Sequence, residues 1–330
     1  MFKEADSRPI SGDPVARPRP RKLKAGAVTR SIAGRVLHPG HLVRAIKLQR
    51  GRKANKRAHD DAQLALLAQF LPGGYLHYGY FDDAEVDRCP REISIADIER
   101  AQRRYADLLI ELATDVNSPV LDVGCGMGAM SKLLLDRGFA PTALTPDRLQ
   151  AAHIAATYPQ IPCIRTKFED LPDPDAHAGR YGTVFTSESL QYLKLDRALP
   201  LLTRILKPGG SWIACDYFRV GPHAAERSGH RWEDFTARLD GAGWEIDYQR
   251  DITLNVLPTL RVAHTWATQF GLPLLKFVDL KFRVKQPALH YVLQGVFAQI
   301  DEVIDDHLQV IDPAVFASQK KYMLLRMRRR

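Results

Sequence analysis

Between residues 116 and 252 the apolar positions switch repeatedly between two periods: short, continuous apolar runs, and stretches with an apolar residue every three or four positions. Val120-Leu121-Asp122-Val123 reads as a buried strand, followed by a helical pattern over 129–137. The pattern then predicts a strand near 141–145, a helix over 147–157, a strand near 162–166 and a strand through TVFTSES to 186. A helix over about 195–206 meets a turn at Lys207-Pro208-Gly209-Gly210, and SWIACDYF is the next buried strand. The helix EDFTARLDGAGW is stopped by Gly241 and Gly243 and leads to the strand WEIDYQRDIT. Helix-like residues fill 255–315, and KKYMLLRMRRR closes the chain as a short strand with a basic tip. Strands alternating with helices require an α/β fold with a largely parallel sheet.

Ahead of this region, DAQLALLAQFLPGGYLHYGYFDD gives a short apolar helix, broken at Pro72-Gly73-Gly74, and then an aromatic cluster. Ser94 and Asp97 have capping-box spacing, and Ile98, Ala101, Tyr105, Leu108, Leu109 and Leu112 follow at helical intervals. Five segments result: an arm over 1–58, a helical cap over 59–115, a core over 116–254, a helical insertion over 255–316 and a final strand over 317–330. The apolar residues Leu272, Leu274, Leu275, Phe277 and Val278 of the insertion predict a core, lid or homodimer contact.

Composition changes this picture at one end only. The 330 residues, 45% hydrophobic and 26% charged, are ordinary for a globular chain, but the net charge of +9 is uneven. Residues 1–60 hold 16 Lys and Arg against 4 Asp and Glu, a balance of +12, so the remaining chain carries −3. Two readings of the arm stay open: a solubilising tail, or a segment that docks on an anionic surface. Its basic residues are not interleaved with stacking aromatics, which argues against nucleic acid. No run of about eighteen apolar residues exists to span a membrane, and MFKEADSRPI lacks a signal-peptide core. A cytoplasmic protein, at most peripheral to a membrane surface, is expected. Cys89, Cys125, Cys163 and Cys215 form no CxxC pair, so neither a metal site nor a disulfide framework is expected.

Gly124, Gly126 and Gly128 sit at alternate positions between the first strand and its helix. Glycine turns of this kind let backbone amides approach a ligand at a positive helix end. The spacing is G-x-G-x-G, neither the G-x-G-x-x-G of a dinucleotide site nor a phosphate loop ending in Lys-Ser/Thr. With TSESLQYL, ILKPGGSWIACDYF and LDGAGWEI in the same order, LDVGCGMG resembles the class I S-adenosylmethionine-dependent methyltransferases. The resemblance covers about residues 90–252 plus the final strand. It implies a Rossmann-like, doubly wound, seven-stranded sheet whose last strand is antiparallel, with the insertion between the last two strands.

The resemblance also implies roles. Asp122 and the backbone of Gly124, Cys125, Gly126 and Gly128 would hold the methionine part of S-adenosylmethionine. Thr145 and Gln150 stand where a ribose-binding acid is common, as in the tocopherol methyltransferase-like and cyclopropane synthase-like members. Lys167 replaces an aspartate that commonly meets the adenine, which leaves Phe168 to flank the ring and Glu169 or Asp170 to accept from its amino group. Gly182 stands where the fourth strand often begins with Asp, and Ser187 would complete the cofactor side.

On the acceptor side, LHYGYFDD resembles an aromatic segment of the tocopherol, sterol and methylated-amine members, with Tyr75, His77, Tyr78, Tyr80 and Phe81 closing over the cofactor. His77, Tyr80, Glu188 and Tyr192 are the candidate catalytic residues, with Gln191, Asp216 and Tyr217 at the same sheet edge. His223 and His230 read as surface histidines. Methyl transfer to a small-molecule or lipid-like acceptor is the expected function, by in-line displacement. Cyclopropane synthase-like methylene transfer and a non-catalytic binding protein of the same fold are the alternatives.

Overall fold

The computed structural model describes residues 73–221, 228–287, 289–291, 293, 304 and 308–330. The basic arm, the apolar helix expected over 60–71, and His223 lie outside the described residues.

Seven strands form one sheet in the order β3-β2-β1-β4-β5-β7-β6, where β1 is Val120–Val123, β2 Pro141–Leu144, β3 Cys163–Ile164, β4 Tyr181–Ser187, β5 Leu206–Arg219, β6 Trp244–Asp251 and β7 Lys320–Arg329. The strands up to β5 pair in parallel, and β7 inserts antiparallel between β5 and β6. The Rossmann-like sheet and the antiparallel last strand expected from sequence are therefore present. Strand order reverses beside β1, so the carboxyl ends of β1 and β4 open a crevice at the switch point, where such sheets take their ligands.

Helices cover both faces: α1 (Ile95–Glu111), α2 (Ala129–Asp136), α3 (Arg148–Thr157), α4 (Leu195–Ile205), α5 (Trp232–Gly241), α6 (Thr253–Trp266) and α8 (Pro313–Gln319); α7 (Leu272–Lys285) continues from α6 and buries none of its residues. Strand alternation sorts the core into two layers. Leu121, Val123, Trp212, Ala214, Leu325 and Met327 pack with Leu199, Leu202, Phe235 and Leu239 of α4 and α5. Val120, Ile213, Cys215, Tyr322 and Leu324 face the other way, against Tyr105, Leu109, Leu133, Val256 and Leu260 of α1, α2 and α6. The expected cap on α1 is formed: Ser94 Oγ accepts from Asp97 N at 3.1 Å while Asp97 Oδ2 accepts from Ser94 N at 2.9 Å.

Two local readings change. Lys207–Gly210 is not a turn ahead of β5 but an irregularity within it, where the register with β4 shifts between Tyr181 and Thr183; the positive φ of Gly209, +74°, absorbs the extra residues. The third strand shrinks to two residues at the sheet edge. The glycine at 182 has a steric cause: a Cβ there would lie 2.6 Å from Ser118 Cβ. Asp115 and Ser118, on the loop before β1, are held by Lys207 Nζ.

Candidate functional site

At the carboxyl ends of β1, β2 and β4 lies a cavity of about 370 Å³, within the size range of small-molecule sites. The cofactor-side candidates Asp122, Gly124, Cys125, Gly126, Thr145, Gln150 and Ser187 line it, as do the catalytic candidates His77, Glu188 and Tyr192.

The glycine turn is built as its residues require. Gly124, Gly126 and Gly128 have φ of +76°, +54° and +87°, a region costly to any residue with a Cβ. Gly124 N and Cys125 N donate to Leu144 O at 2.8 and 3.2 Å, and Gly128 N donates to Cys125 O at 2.9 Å, so three amides brace the turn against β2 and against itself. Gly126 N makes no such bond among the described residues. Gly128 sits behind the cavity, at the N-cap of α2, where a Cβ would lie 2.9 Å from Ile154 Cγ1. A Cβ on Gly124 would lie 2.3 Å from Ser189 Cβ. Gly124→Ala is therefore expected to destabilise the chain by about 2–4 kcal/mol through strain and overpacking. An unchanged urea midpoint would contradict this packing.

Asp122 is buried, and Ser131 Oγ donates to its Oδ2 at 2.6 Å. Burial pushes its pKa up to about 6, with the Ser131 bond acting in the opposite direction. A ligand ammonium beside it would stabilise the carboxylate that burial disfavours, which fits the methionine end of S-adenosylmethionine. At the end of β2, Thr145 Oγ1 donates to Gln150 Oε1 at 2.6 Å, so the Gln150 amide presents its NH2 as donor. Asp147, which caps α3 through Leu149 N and Gln150 N, also lines the cavity.

Past β4, Glu188 takes a left-handed φ of +49°, uncommon for a residue with a side chain. Its Oε1 accepts from Tyr78 N at 2.8 Å and from Tyr322 OH. Burial raises its pKa to about 7, against these two bonds. Gln191 N donates to Asp216 Oδ2 at 3.0 Å, and Tyr217 OH donates to Gln191 Oε1; burial drives Asp216 up to about 8. These bonds hold the turn that carries Tyr192, which is 76% exposed at the cavity rim.

His77 stacks on Tyr105 with ring centroids 4.1 Å apart. Its Nδ1 lies 2.8 Å from Tyr78 O, a group that can only accept, so Nδ1 carries the proton. Nε2 is then a bare acceptor, buried and without a hydrogen-bond partner. Burial lowers the pKa of the ring to about 4, so it stays neutral near pH 7.

The remaining candidates do not reach the cavity lining. Tyr80 is turned toward β6, its hydroxyl taking a bond from Arg250 Nη2 at 2.5 Å, and Phe81 is fully buried beside α6. The aromatic segment divides at Gly79, where a Cβ would lie 2.6 Å from Ala101 Cβ. Tyr75 and His77 thus line the cavity, while Tyr78 lies against Phe316 and Tyr322. Phe168 and Glu169 are not among the residues that line the cavity. The turn Phe168–Asp170 buries its ring in the core under α4, and Glu169 Oε1 accepts from Lys194 N at 2.7 Å, just ahead of that helix. Asp170 pairs with Arg197. His230 is half-buried, its Nε2 3.1 Å from Leu190 O, and is not the surface residue expected. Sequence reasoning missed Ser189, whose Oγ donates to Val123 O at 2.6 Å across the crevice; its place in TSESLQYL was the available signal.

A family model described as a methyltransferase domain matches residues 98–247. An S-adenosyl-L-methionine-dependent Diels-Alderase from Talaromyces variabilis is 22% identical over 238 residues, 64% of this chain and 79% of that protein. The chloroplastic tocopherol O-methyltransferase of Arabidopsis thaliana is 28% identical over 171 residues, and the chain spans only 49% of its length. A geranyl diphosphate C-methyltransferase from Streptomyces coelicolor A3(2), solved with S-adenosyl-L-homocysteine, has the same fold, with a TM-score of 0.58, 16% identity, and coverage of 80% of this chain and 93% of that one.

Proposed function

We propose that this chain, a member of the class I S-adenosylmethionine-dependent methyltransferases, transfers a methyl group to a small acceptor that carries both an ionisable or hydroxyl group and an apolar portion. The observation that carries the reading is the meeting, in one cavity, of the Asp122–glycine turn, the Thr145–Gln150 pair, His77 and Glu188. In this reading residues 116–254 hold the cofactor, 59–115 cap it, 255–316 are a helical insertion, and 1–58 are an accessory arm.

Bound there, the cofactor supplies an electrophilic methyl group open to in-line attack. Asp122 pairs with the ammonium, Gly126 N–H is available to the carboxylate, and Thr145 and Gln150 hold the ribose diol. His77 Nε2 accepts the hydrogen bond of the acceptor's O–H or N–H, aims its lone pair, and takes its proton as methyl transfer proceeds. Glu188 fixes Tyr78, the residue that fixes the His77 tautomer. Tyr75 and Leu76 add an apolar wall.

The test is incubation with S-adenosylmethionine and a panel of phenols and quinols with and without isoprenoid tails, reading S-adenosylhomocysteine and product mass. Stoichiometric S-adenosylhomocysteine with a product one methyl group heavier supports the reading. A ring-closed isomer formed without S-adenosylhomocysteine would place the activity with that of the Diels-Alderase relative. A bridging methylene on an unsaturated chain would favour the cyclopropane-type alternative, and tight cofactor binding without any turnover the non-catalytic one.

A further inference from the structure

Helix α7 buries none of its residues. From the end of α6, through the π-helical turn Ala267–Gly271 and along α7, Trp266, Phe270, Leu274, Phe277, Leu280 and Val284 recur every three or four residues. They form one continuous stripe, and each is 47–72% exposed. Scattered apolar residues on a surface need no explanation, but an aligned stripe that opens with Trp and Phe does.

The charges beside the stripe say what covers it. Lys276, Lys281, Arg283 and Lys285 are exposed on α7, and Lys281 Nζ lies 5.6 Å from the Phe277 ring centroid. Asp279, the one acid of the helix, is drawn to His290 Nε2 at 2.9 Å. A second copy placed face to face would set these cations against their own kind. Residues 1–60, with a balance of +12, meet the same objection. An anionic phospholipid surface satisfies both features at once: apolar side chains enter the acyl boundary and the cations meet the headgroups. Among the described residues no helix is long and apolar enough to cross a membrane, so the mode is lying on the surface.

We propose that the stripe from Trp266 to Val284 docks this chain on an anionic phospholipid surface. Docking bears on the cavity because α6 is tied to the aromatic segment. Asn255 brackets Phe81, accepting from its N–H at 2.9 Å and donating to its carbonyl at 2.8 Å, and Gly79 N donates to Thr259 Oγ1 at 3.1 Å. A surface that seats α7 therefore also sets the position of the wall that carries His77. The proposal rests on the exposed face alone and stands apart from the reading of the acceptor.

The test is sedimentation of the full chain with vesicles of phosphatidylcholine, with and without phosphatidylglycerol. Binding to the phosphatidylglycerol vesicles, weakened by salt and falling about tenfold or more in Phe270→Ser/Phe277→Ser and in Lys281→Glu/Arg283→Glu, is the expected result. Both variants are expected to keep the thermal midpoint and S-adenosylmethionine binding of the unmodified chain. A blue shift of Trp emission on vesicle addition, lost in Trp266→Phe, is the matching optical signal. Equal binding by the Phe270→Ser/Phe277→Ser variant would overturn the proposal, as would absence of binding to either vesicle. Conversion of a dimer to a monomer by that variant without vesicles would assign the face to a second copy and overturn it too.

Discussion

Asp122→Asn is expected to weaken S-adenosylmethionine binding by roughly 100-fold or more, the scale of removing one partner from a buried charge-assisted pair. The substitution keeps the shape of the side chain and can keep the bond from Ser131, so the loss isolates the charge. The unliganded protein is expected to move in the opposite direction. Burial raises the folded-state pKa of Asp122 from 3.8 to about 6. Such a group favours the fold below its unfolded pKa and loses that contribution as pH rises through the folded pKa. Above about pH 6 the buried carboxylate costs on the order of 3 kcal/mol, which Asn removes. Weaker binding together with a higher urea midpoint at pH 8 is the expected pair of results. Cofactor affinity in the unmodified protein follows from the same shift: a bound ammonium lowers the Asp122 pKa, so affinity is full above about pH 6 and falls by up to about tenfold per pH unit below it. Calorimetry across pH 5 to 8 reads both effects, and undiminished affinity in Asp122→Asn would remove the assignment of the methionine end.

What was legible in the sequence was whatever depends on one local stretch. The glycine turn could be read because φ values above +50° at three alternate positions leave few other residues possible, and Thr145 and Gln150 lie five apart at one strand-to-helix turn. The largely parallel sheet followed from alternating periods, and the antiparallel last strand from the resemblance. The remainder depends on partners far away in sequence. Tyr75 and Tyr80 are equally aromatic, and only the approach of Gly79 to Ala101 decides that one lines the cavity and the other turns to Arg250. Phe168 packs in the core because α4, which begins 27 residues on at Leu195, covers it. Gly182 looked like a lost acid until Ser118 occupied the space a side chain would need. Glu188 could be marked by its place after β4, but its strained backbone and its bonds to Tyr78 and to Tyr322, 134 residues away, are properties of the folded chain alone.

His77→Asn is the second variant with a large expected effect. Its amide nitrogen can replace Nδ1–H toward Tyr78 O, while no atom of the shorter side chain replaces Nε2. If Nε2 holds the acceptor's proton, kcat is expected to fall roughly 100-fold, the lower end of general-base effects, with cofactor affinity little changed. The imidazole pKa of about 4 sets the pH behaviour. Its folded value is lowered, so the neutral base persists down through pH 5, and any loss of rate between pH 7 and 5 must come from other groups. Asp122 at about 6 and Glu188 at about 7 are in that window. The two are separable, because protonating Asp122 raises the KM for the cofactor, whereas protonating Glu188 disturbs its grip on Tyr78 and lowers kcat. Glu188→Gln is neutral like the protonated acid, so it is expected to hold kcat near its low-pH value and to remove this part of the pH dependence. A His77→Asn protein with unchanged kcat would show that the acceptor is methylated without a proton leaving toward Nε2, and that the cavity orients by shape alone.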